Sequence, residues 1–261
     1  MMPFIKNNID NYRSLNKCIS KTFFYLEKNF STFPAREKGF FVNSPITSLK
    51  KGKTNIHFKL DNLQPSGSFK DRGISHMIYT LSQKVKISKL VSSSGGNAGK
   101  AVTFAGSRLK VPVKVFVPST TSSMMQDLLK SHGADVVVAG DYWDAADKVA
   151  REYTLKEGPE ALYIPPFDHE LIWQGNSSIV HELIDCGLHD IDLIVVAVGG
   201  GGLLCGVQKG IEDHKLVDKT SILAIETQGA ASFAAALKAG KPVKIDKIDS
   251  IAKSLGGAWV Y

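Results

Sequence analysis

Residues 89–117 read KLVSSSGGNAGKAVTFAGSRLKVPVKVFV, and this stretch decides the fold. Two short apolar runs, Lys89–Ser93 and Pro112–Pro118, flank a segment of helical period near residues 97–109. A strand, a crossing helix and a second strand in this order imply parallel pairing. The alternation continues outward in both directions. Strands are expected at Asn55–Asp61, Asp135–Ala139, Ala161–Ile164, Asp192–Val198 and Ser221–Glu226, with helices near 71–84, 122–132, 142–156, 170–186, 202–213 and 230–239. Trp143, Ala146, Ala150 and Tyr153 space as one helical face. The expected class is α/β with parallel sheet covered by helices, so ligands belong beyond the carboxyl ends of the strands.

Bulk properties agree with such a fold. The 261 residues are 43% hydrophobic and 22% charged, enough to bury a core in one large domain or two small intertwined ones. No run approaches the roughly 18 apolar residues of a membrane span, so no membrane association is expected. The net charge is +7, but the lysines are dispersed and not interleaved with aromatics, which argues against nucleic acid. Residues 1–40 hold seven basic side chains against three acidic ones. They form an N-terminal extension with some transit-peptide character, which sets a mitochondrial location beside a cytoplasmic one. Cys18, Cys186 and Cys205 are scattered and read as reduced thiols. The run His181-Glu182-Leu183-Ile184-Asp185 lacks the second histidine of a zinc motif.

Three strand-to-helix loops carry chemistry. The first is Pro65-Ser-Gly-Ser-Phe-Lys-Asp-Arg-Gly73. It places Lys70 at the positive end of a helix, where a charged amine is disfavoured and a neutral, nucleophilic one is favoured. Phe69 is an aromatic neighbour able to cover a planar ring. Taken alone, Lys70 reads better as a surface lysine beside a turn. The second loop, Ser92-Ser-Ser-Gly-Gly-Asn-Ala-Gly99, offers backbone amides to an anion such as a carboxylate, and Asn97 can donate to a phenolate oxygen. It fails as a nucleotide P-loop, because position 94 is serine and Ala101 replaces the required hydroxyl residue. The third loop, Gly199-Gly-Gly-Gly-Leu203, sets four glycines before a helix and suits one phosphate better than a dinucleotide pyrophosphate. Ligand-free tight turns remain open for both glycine-rich loops.

Together the loops resemble the fold-type II pyridoxal phosphate enzymes, the tryptophan synthase β-like class. The resemblance is closest to the L-serine/L-threonine dehydratases, including the serine dehydratase-like branch. Gln64-Pro-Ser-Gly-Ser-Phe-Lys70, Ser93-Ser-Gly-Gly-Asn-Ala-Gly99 and Val198-Gly-Gly-Gly-Gly-Leu-Leu-Cys-Gly206 carry it. So do Tyr163-Ile-Pro-Pro-Phe-Asp168, Leu171-Ile-Trp173, Glu226-Thr-Gln-Gly-Ala230 and Ser250-Ile-Ala-Lys-Ser-Leu-Gly256.

The resemblance implies two parallel-sheet domains, a large cofactor-binding one from 41–61 and 169–261 and a small one at 62–168. It also implies that the C-terminal part of the large domain is missing beyond Tyr261. Lys70 would hold the aldehyde of pyridoxal phosphate and take the α-proton. Phe69 would pack on the ring, Asn97 would bind its 3′-oxygen, and Gly199, Gly200, Gly201, Gly202 and Leu203 would hold the phosphate. Ser93, Ser94 and Gly95 would bind the substrate carboxylate. Gly199, Ala230 and Leu255 match positions for a monovalent cation such as K⁺. The implied activity is deamination of L-serine or L-threonine to pyruvate or 2-oxobutanoate plus ammonia, by a homodimer acting on a small amino acid. A non-catalytic cofactor-binding paralogue and a serine racemase are the alternatives; Gly95, where a racemase would want an acid, weighs against the second.

Overall fold

The structure is a computed structural model and describes residues 33–246, 248–252, 255 and 260. Most of the N-terminal extension, including Cys18, lies outside the described residues. A one-turn helix, α1 (Pro34–Glu37), leads into an antiparallel hairpin of β1 (Ile46–Lys51) and β2 (Thr54–Lys59). This corrects the expectation of a strand at Asn55–Asp61: it ends at Lys59, β1 precedes it, and Asp61 begins a short 3-10 turn, Asp61–Leu63. Most hairpin side chains are exposed, so burial left no alternation in Ile46–Lys51 for the sequence to display. Its tight turn rests on Gly52, whose φ of +61° suits a residue without a Cβ.

From Lys70 the strand–helix alternation holds. α2 (Lys70–Ser82), β3 (Lys89–Ser92), α3 (Asn97–Leu109), β4 (Val113–Val117), α4 (Ser123–Ser131), β5 (Ala134–Val138), α5 (Trp143–Glu157) and β6 (Ala161–Tyr163) follow in order. Their strands form one all-parallel sheet, ordered β5-β4-β3-β6. Leu90, Val113, Val115 and Val117 face a core shared with α2 and α3. Val91 and Phe116 face the opposite side, against Ala150 of α5. Helices on both faces explain why these strands read as almost unbroken apolar runs. On α5, Ala146 and Ala150 are fully buried and Tyr153 packs beside them, whereas Trp143, the first helical residue, stays 39% exposed.

The remaining elements are α6 (Glu170–Asp185), β7 (Leu193–Ala197), α7 (Gly202–Asp213), β8 (Ser221–Ile225) and α8 (Ser232–Ala239). β7 and β8 pair in parallel. Ile194, Val196, Val198, Ile222 and Ala224 turn toward α7, while Leu193, Val195, Leu223 and Ile225 are exposed on the other face. Helix α6 packs against α2 on one side and α7 on the other. Both contacts are too close for side chains. A Cβ on Gly175 would lie 2.4 Å from the Arg72 carbonyl oxygen, and one on Gly206 would lie 2.3 Å from the Asn176 Cβ.

Arg72, two residues beyond Lys70, fixes the start of α2. Its guanidinium is wholly buried and grips two carboxylates as a fork. Nε and Nη2 donate to the two Asp61 oxygens at 2.8 Å each, and Nη1 and Nη2 donate to the two Glu182 oxygens at 2.8 Å each. Ser178 Oγ and Ser44 Oγ accept further bonds at 2.9 Å, and Lys59 Nζ reaches Glu182 at 2.7 Å. Burial alone would raise the Asp61 carboxyl; the Arg72 hydrogen bonds and charge, with Ser44 and Lys59, outweigh it and hold the group below its ordinary value. Its contribution to stability is therefore present above the ordinary carboxylate range and lost as pH falls through the lowered folded value. Replacing Arg72→Met strips both carboxylates of their main partner, and a denaturant titration is expected to show a loss of about 3–5 kcal/mol. A loss below about 1 kcal/mol, the worth of an exposed pair, would contradict the cluster's structural role.

Candidate active site

Two of the three loops sit where the topology predicts: the second joins the carboxyl end of β3 to α3, and the third joins β7 to α7. The first opens α2, but it follows the antiparallel hairpin and a 3-10 turn and not a strand of the parallel sheet. Lys70 is the first residue of α2, and its ammonium donates a 2.5 Å hydrogen bond to the Pro166 carbonyl. Nζ lies 5.1 Å from the centre of the Phe69 ring and 5.7 Å from that of Phe167. In this apolar setting burial lowers the Lys70 pKa to about 8.

Phe167 joins Lys70 to the third loop. A Cβ on Gly200 would fall 2.5 Å from the Phe167 ring, and one on Gly202 would fall 2.6 Å from the Phe167 carbonyl oxygen. Trp173 Nε1 donates to that same carbonyl at 3.0 Å, and Asn176 Nδ2 donates to the Gly202 carbonyl at 2.9 Å. Gly201 has φ +87° and caps α7 without any side-chain hydrogen bond. By contrast, Ser122 and His169 cap α4 and α6 through their side chains. The Gly199–Leu203 turn thus packs so closely on Phe167 that Gly200 and Gly202 admit no side chain, and it begins a helix whose positive end suits a phosphate. An amine with a lowered pKa fits the aldehyde. The set of residues fits pyridoxal phosphate.

The second loop is folded back on its own helix, since a Cβ on Gly99 would meet the Ser94 carbonyl oxygen at 1.9 Å. Asn97 begins α3 and is half-buried, and its N-cap, Gly96, supplies no side chain. Ser94 Oγ accepts a long, 3.3 Å bond from the Gly96 amide. Gly95 has no space for a side chain, with Thr121 Cγ2 at 2.7 Å from the place of its Cβ. Ser93 is fully buried, and its hydroxyl donates to Asp147 Oδ1 at 2.7 Å. At the proposed cation position, Gly199 lies beside Leu255, whose carbonyl oxygen is 3.2 Å from the place of the glycine's Cβ. Ala230 is buried in the turn after β8, its amide donating to the Thr227 carbonyl at 3.1 Å.

Several contributors carried no assigned role in the sequence. Pro166 and Phe167 stood inside the Tyr163–Asp168 motif, yet nothing local says that they meet a lysine 96 residues away. Lys100 lies close to Gly67, 3.7 Å from the place of its Cβ, and its charge acts on Asp71. Burial pushes the Asp71 carboxyl up to about 6, although its Oδ2 accepts a 2.6 Å bond from the Ser66 amide. Burial, helped by Asp168, pushes the Cys205 thiol up to about 11, which leaves it protonated and unreactive at neutral pH. Among the described residues, no group of three or more His, Cys, Asp or Glu side chains is placed to hold a metal, and no helix is long and apolar enough to cross a membrane.

Fold and loops together define a pyridoxal phosphate enzyme, and the family model described as "Pyridoxal-phosphate dependent enzyme" matches residues 40–260. The chain belongs to that family. It is 45% identical over 215 residues to human L-serine dehydratase/L-threonine deaminase, covering 82% of this chain and 65% of the relative. The chain therefore spans about 65% of that relative's length. A crystal structure of an L-serine ammonia-lyase from Rhizomucor miehei matches with a TM-score of 0.77 at 33% identity, over 85% of this chain and 71% of that one. A maize serine racemase structure matches with a TM-score of 0.77 at 26% identity, over 87% and 68%.

The Lys70 environment sets a pH dependence. Below about pH 8 the amine is protonated and cannot attack an aldehyde, and above it the neutral form dominates. Covalent capture of pyridoxal phosphate by cofactor-free protein, trapped with borohydride, is expected to rise with a midpoint near pH 8. A midpoint at the ordinary lysine value of about 10.4 would show that the amine is not buried as described.

Proposed function

We propose that the chain binds pyridoxal phosphate on Lys70 and deaminates L-serine and L-threonine to the corresponding keto acid and ammonia, as a homodimer acting on free amino acids. The observation that carries this reading is the Lys70 amine held against the Pro166 carbonyl, between two phenyl rings and linked through Phe167 to the glycine cradle. The names of the human and fungal relatives support the same substrates.

The backbone amides of Gly199 to Leu203 would hold the phosphate, Phe69 would pack on the ring, and the Asn97 amide would donate to the ring oxygen. When bound, the cofactor supplies an electron sink for the α-carbon, which the polypeptide alone cannot provide. The neutral Lys70 amine is placed to accept the α-proton, acting as general base near its own pKa. The amides of the Ser94–Gly96 turn orient the substrate carboxylate. The phenyl rings of Phe69 and Phe167 shield the Lys70 amine from bulk water, and this burial lowers its pKa to about 8. Loss of the α-proton and the β-hydroxyl, then hydrolysis of the C–N bond, converts serine to pyruvate and ammonia with atoms balanced.

A second reading is cofactor binding without turnover, since the Lys70 amine and the glycine turn account by themselves for holding the cofactor. Racemisation fits less well, because the space beside Gly95 is taken by Thr121.

Borohydride reduction of cofactor-loaded protein should leave a pyridoxyl group on Lys70 alone. Lys70→Ala should lose that tag and at least about 10²–10⁴-fold of keto-acid release. A tag on another lysine would overturn the site. A correct tag with no pyruvate from serine would leave the binding reading standing.

A further inference from the structure

Behind the second loop, three side chains converge on one carboxylate. Asp147, on α5, accepts the Ser93 hydroxyl on Oδ1 at 2.7 Å. The Tyr163 hydroxyl donates to the same oxygen and lies 3.0 Å from Ser93 Oγ. Arg151 Nε donates to Oδ2 at 2.8 Å, and its guanidinium lies 4.1 Å over the Tyr163 ring. Burial would raise the Asp147 carboxyl, but the bonds from Tyr163, Arg151 and Ser93 hold it below its ordinary value. It is a charged acceptor at neutral pH.

Two consequences follow from proton counting. A serine hydroxyl has one proton to donate, and that of Ser93 goes to Asp147. Ser93 therefore has none for a substrate carboxylate. Ser94 Oγ, in contrast, only accepts within the loop, from the Gly96 amide at 3.3 Å, and keeps its proton for an outside partner. The bonds internal to the turn are long, 3.3 and 3.4 Å, whereas the Ser93–Asp147 bond is short and charge-assisted. That bond is the firmest tie of this loop to the scaffold behind it.

We propose that Asp147 is a positioning residue for the substrate carboxylate: acting through Ser93, it sets where the Ser94 hydroxyl and the Ser94–Gly96 amides point. Asp147 touches neither cofactor nor substrate. Arg151 and Tyr163 keep its two oxygens aligned from the opposite side. This inference rests on the proposed amino-acid site, and it specifies how the carboxylate end of that site is held.

The test separates carboxylate recognition from cofactor binding. Protein loaded with pyridoxal phosphate is titrated with glycine, which has a carboxylate but no leaving group, and with ethanolamine, which has the amine but no carboxylate; the cofactor absorbance reports both. In Asp147→Asn, glycine affinity should fall at least about tenfold, in line with the loss of a hydrogen bond to a charged group. Ethanolamine affinity and cofactor affinity should hold within about twofold, well under the tenfold that 1.4 kcal/mol represents. Ser93→Ala, a smaller perturbation, should give the same split, and the double variant should be no worse than the single ones because both act through one bond. Unchanged glycine affinity in both variants would overturn the proposal. So would an equal loss for glycine, ethanolamine and cofactor, which marks a purely structural role. Wild-type protein that takes no cofactor on Lys70 would instead refute the proposed function itself.

Discussion

The buried guanidinium of Arg72 is the constraint on which the rest of the site depends. A charge of that size cannot leave water without partners, and here it is matched by the carboxylates of Asp61 and Glu182 and the hydroxyls of Ser44 and Ser178. Those partners come from the segment before β1, from the turn after β2 and from α6. The arginine therefore pins three separate pieces of chain to the first turn of α2. Lys70 begins that turn, so its backbone is placed by an electrostatic requirement two residues away, and its side chain is held by the Pro166 carbonyl. Apolar packing is tolerant of small rotations; a six-bond fork is not.

The glycines of α6 and its neighbours convert this local anchoring into a site. Gly175 lets α6 touch the backbone of α2, and Gly206 lets α7 touch α6. The amine at the start of α2 and the glycine turn at the start of α7 are thereby set at a fixed separation, with Phe167 filling the gap between them. Two helix N-termini converge, one carrying the nucleophile and the other carrying only amides. Their chemistry is complementary: the first is suited to an aldehyde and the second to an anion. The apolar ring between them lowers the dielectric at the amine and brings its pKa down to about 8, so a far larger share is neutral near physiological pH than for an ordinary lysine.

The second loop illustrates how burial assigns roles to residues that look equivalent. Ser93 and Ser94 are adjacent and identical in type, yet one is buried and bonded to Asp147 while the other is partly exposed. Only the folded chain separates them, because Asp147 lies 54 positions along and Tyr163 lies 70. The hairpin of β1 and β2 shows the converse limit. With few buried side chains, it left no periodic trace, and its existence depends on a glycine turn and on ladder hydrogen bonds that any sequence can make.

The sequence by itself determined the strand–helix alternation from Lys70 onward and the position of the second and third loops at a strand's carboxyl end, while roles for Lys70, Asn97 and the Gly199–Gly202 turn came from the family resemblance. The alternation and the loop positions are local signals: period, turn chemistry and glycine runs are written in neighbouring residues. The tertiary structure alone decided that Phe167 and Pro166 meet Lys70, that Ser93 spends its proton on Asp147, and that Arg72 is buried with two acids. Each of these joins residues far apart in the chain, 110 positions in the case of Arg72 and Glu182. Such pairings are fixed by the packing of whole helices around one core, and nothing in the neighbourhood of either partner encodes them.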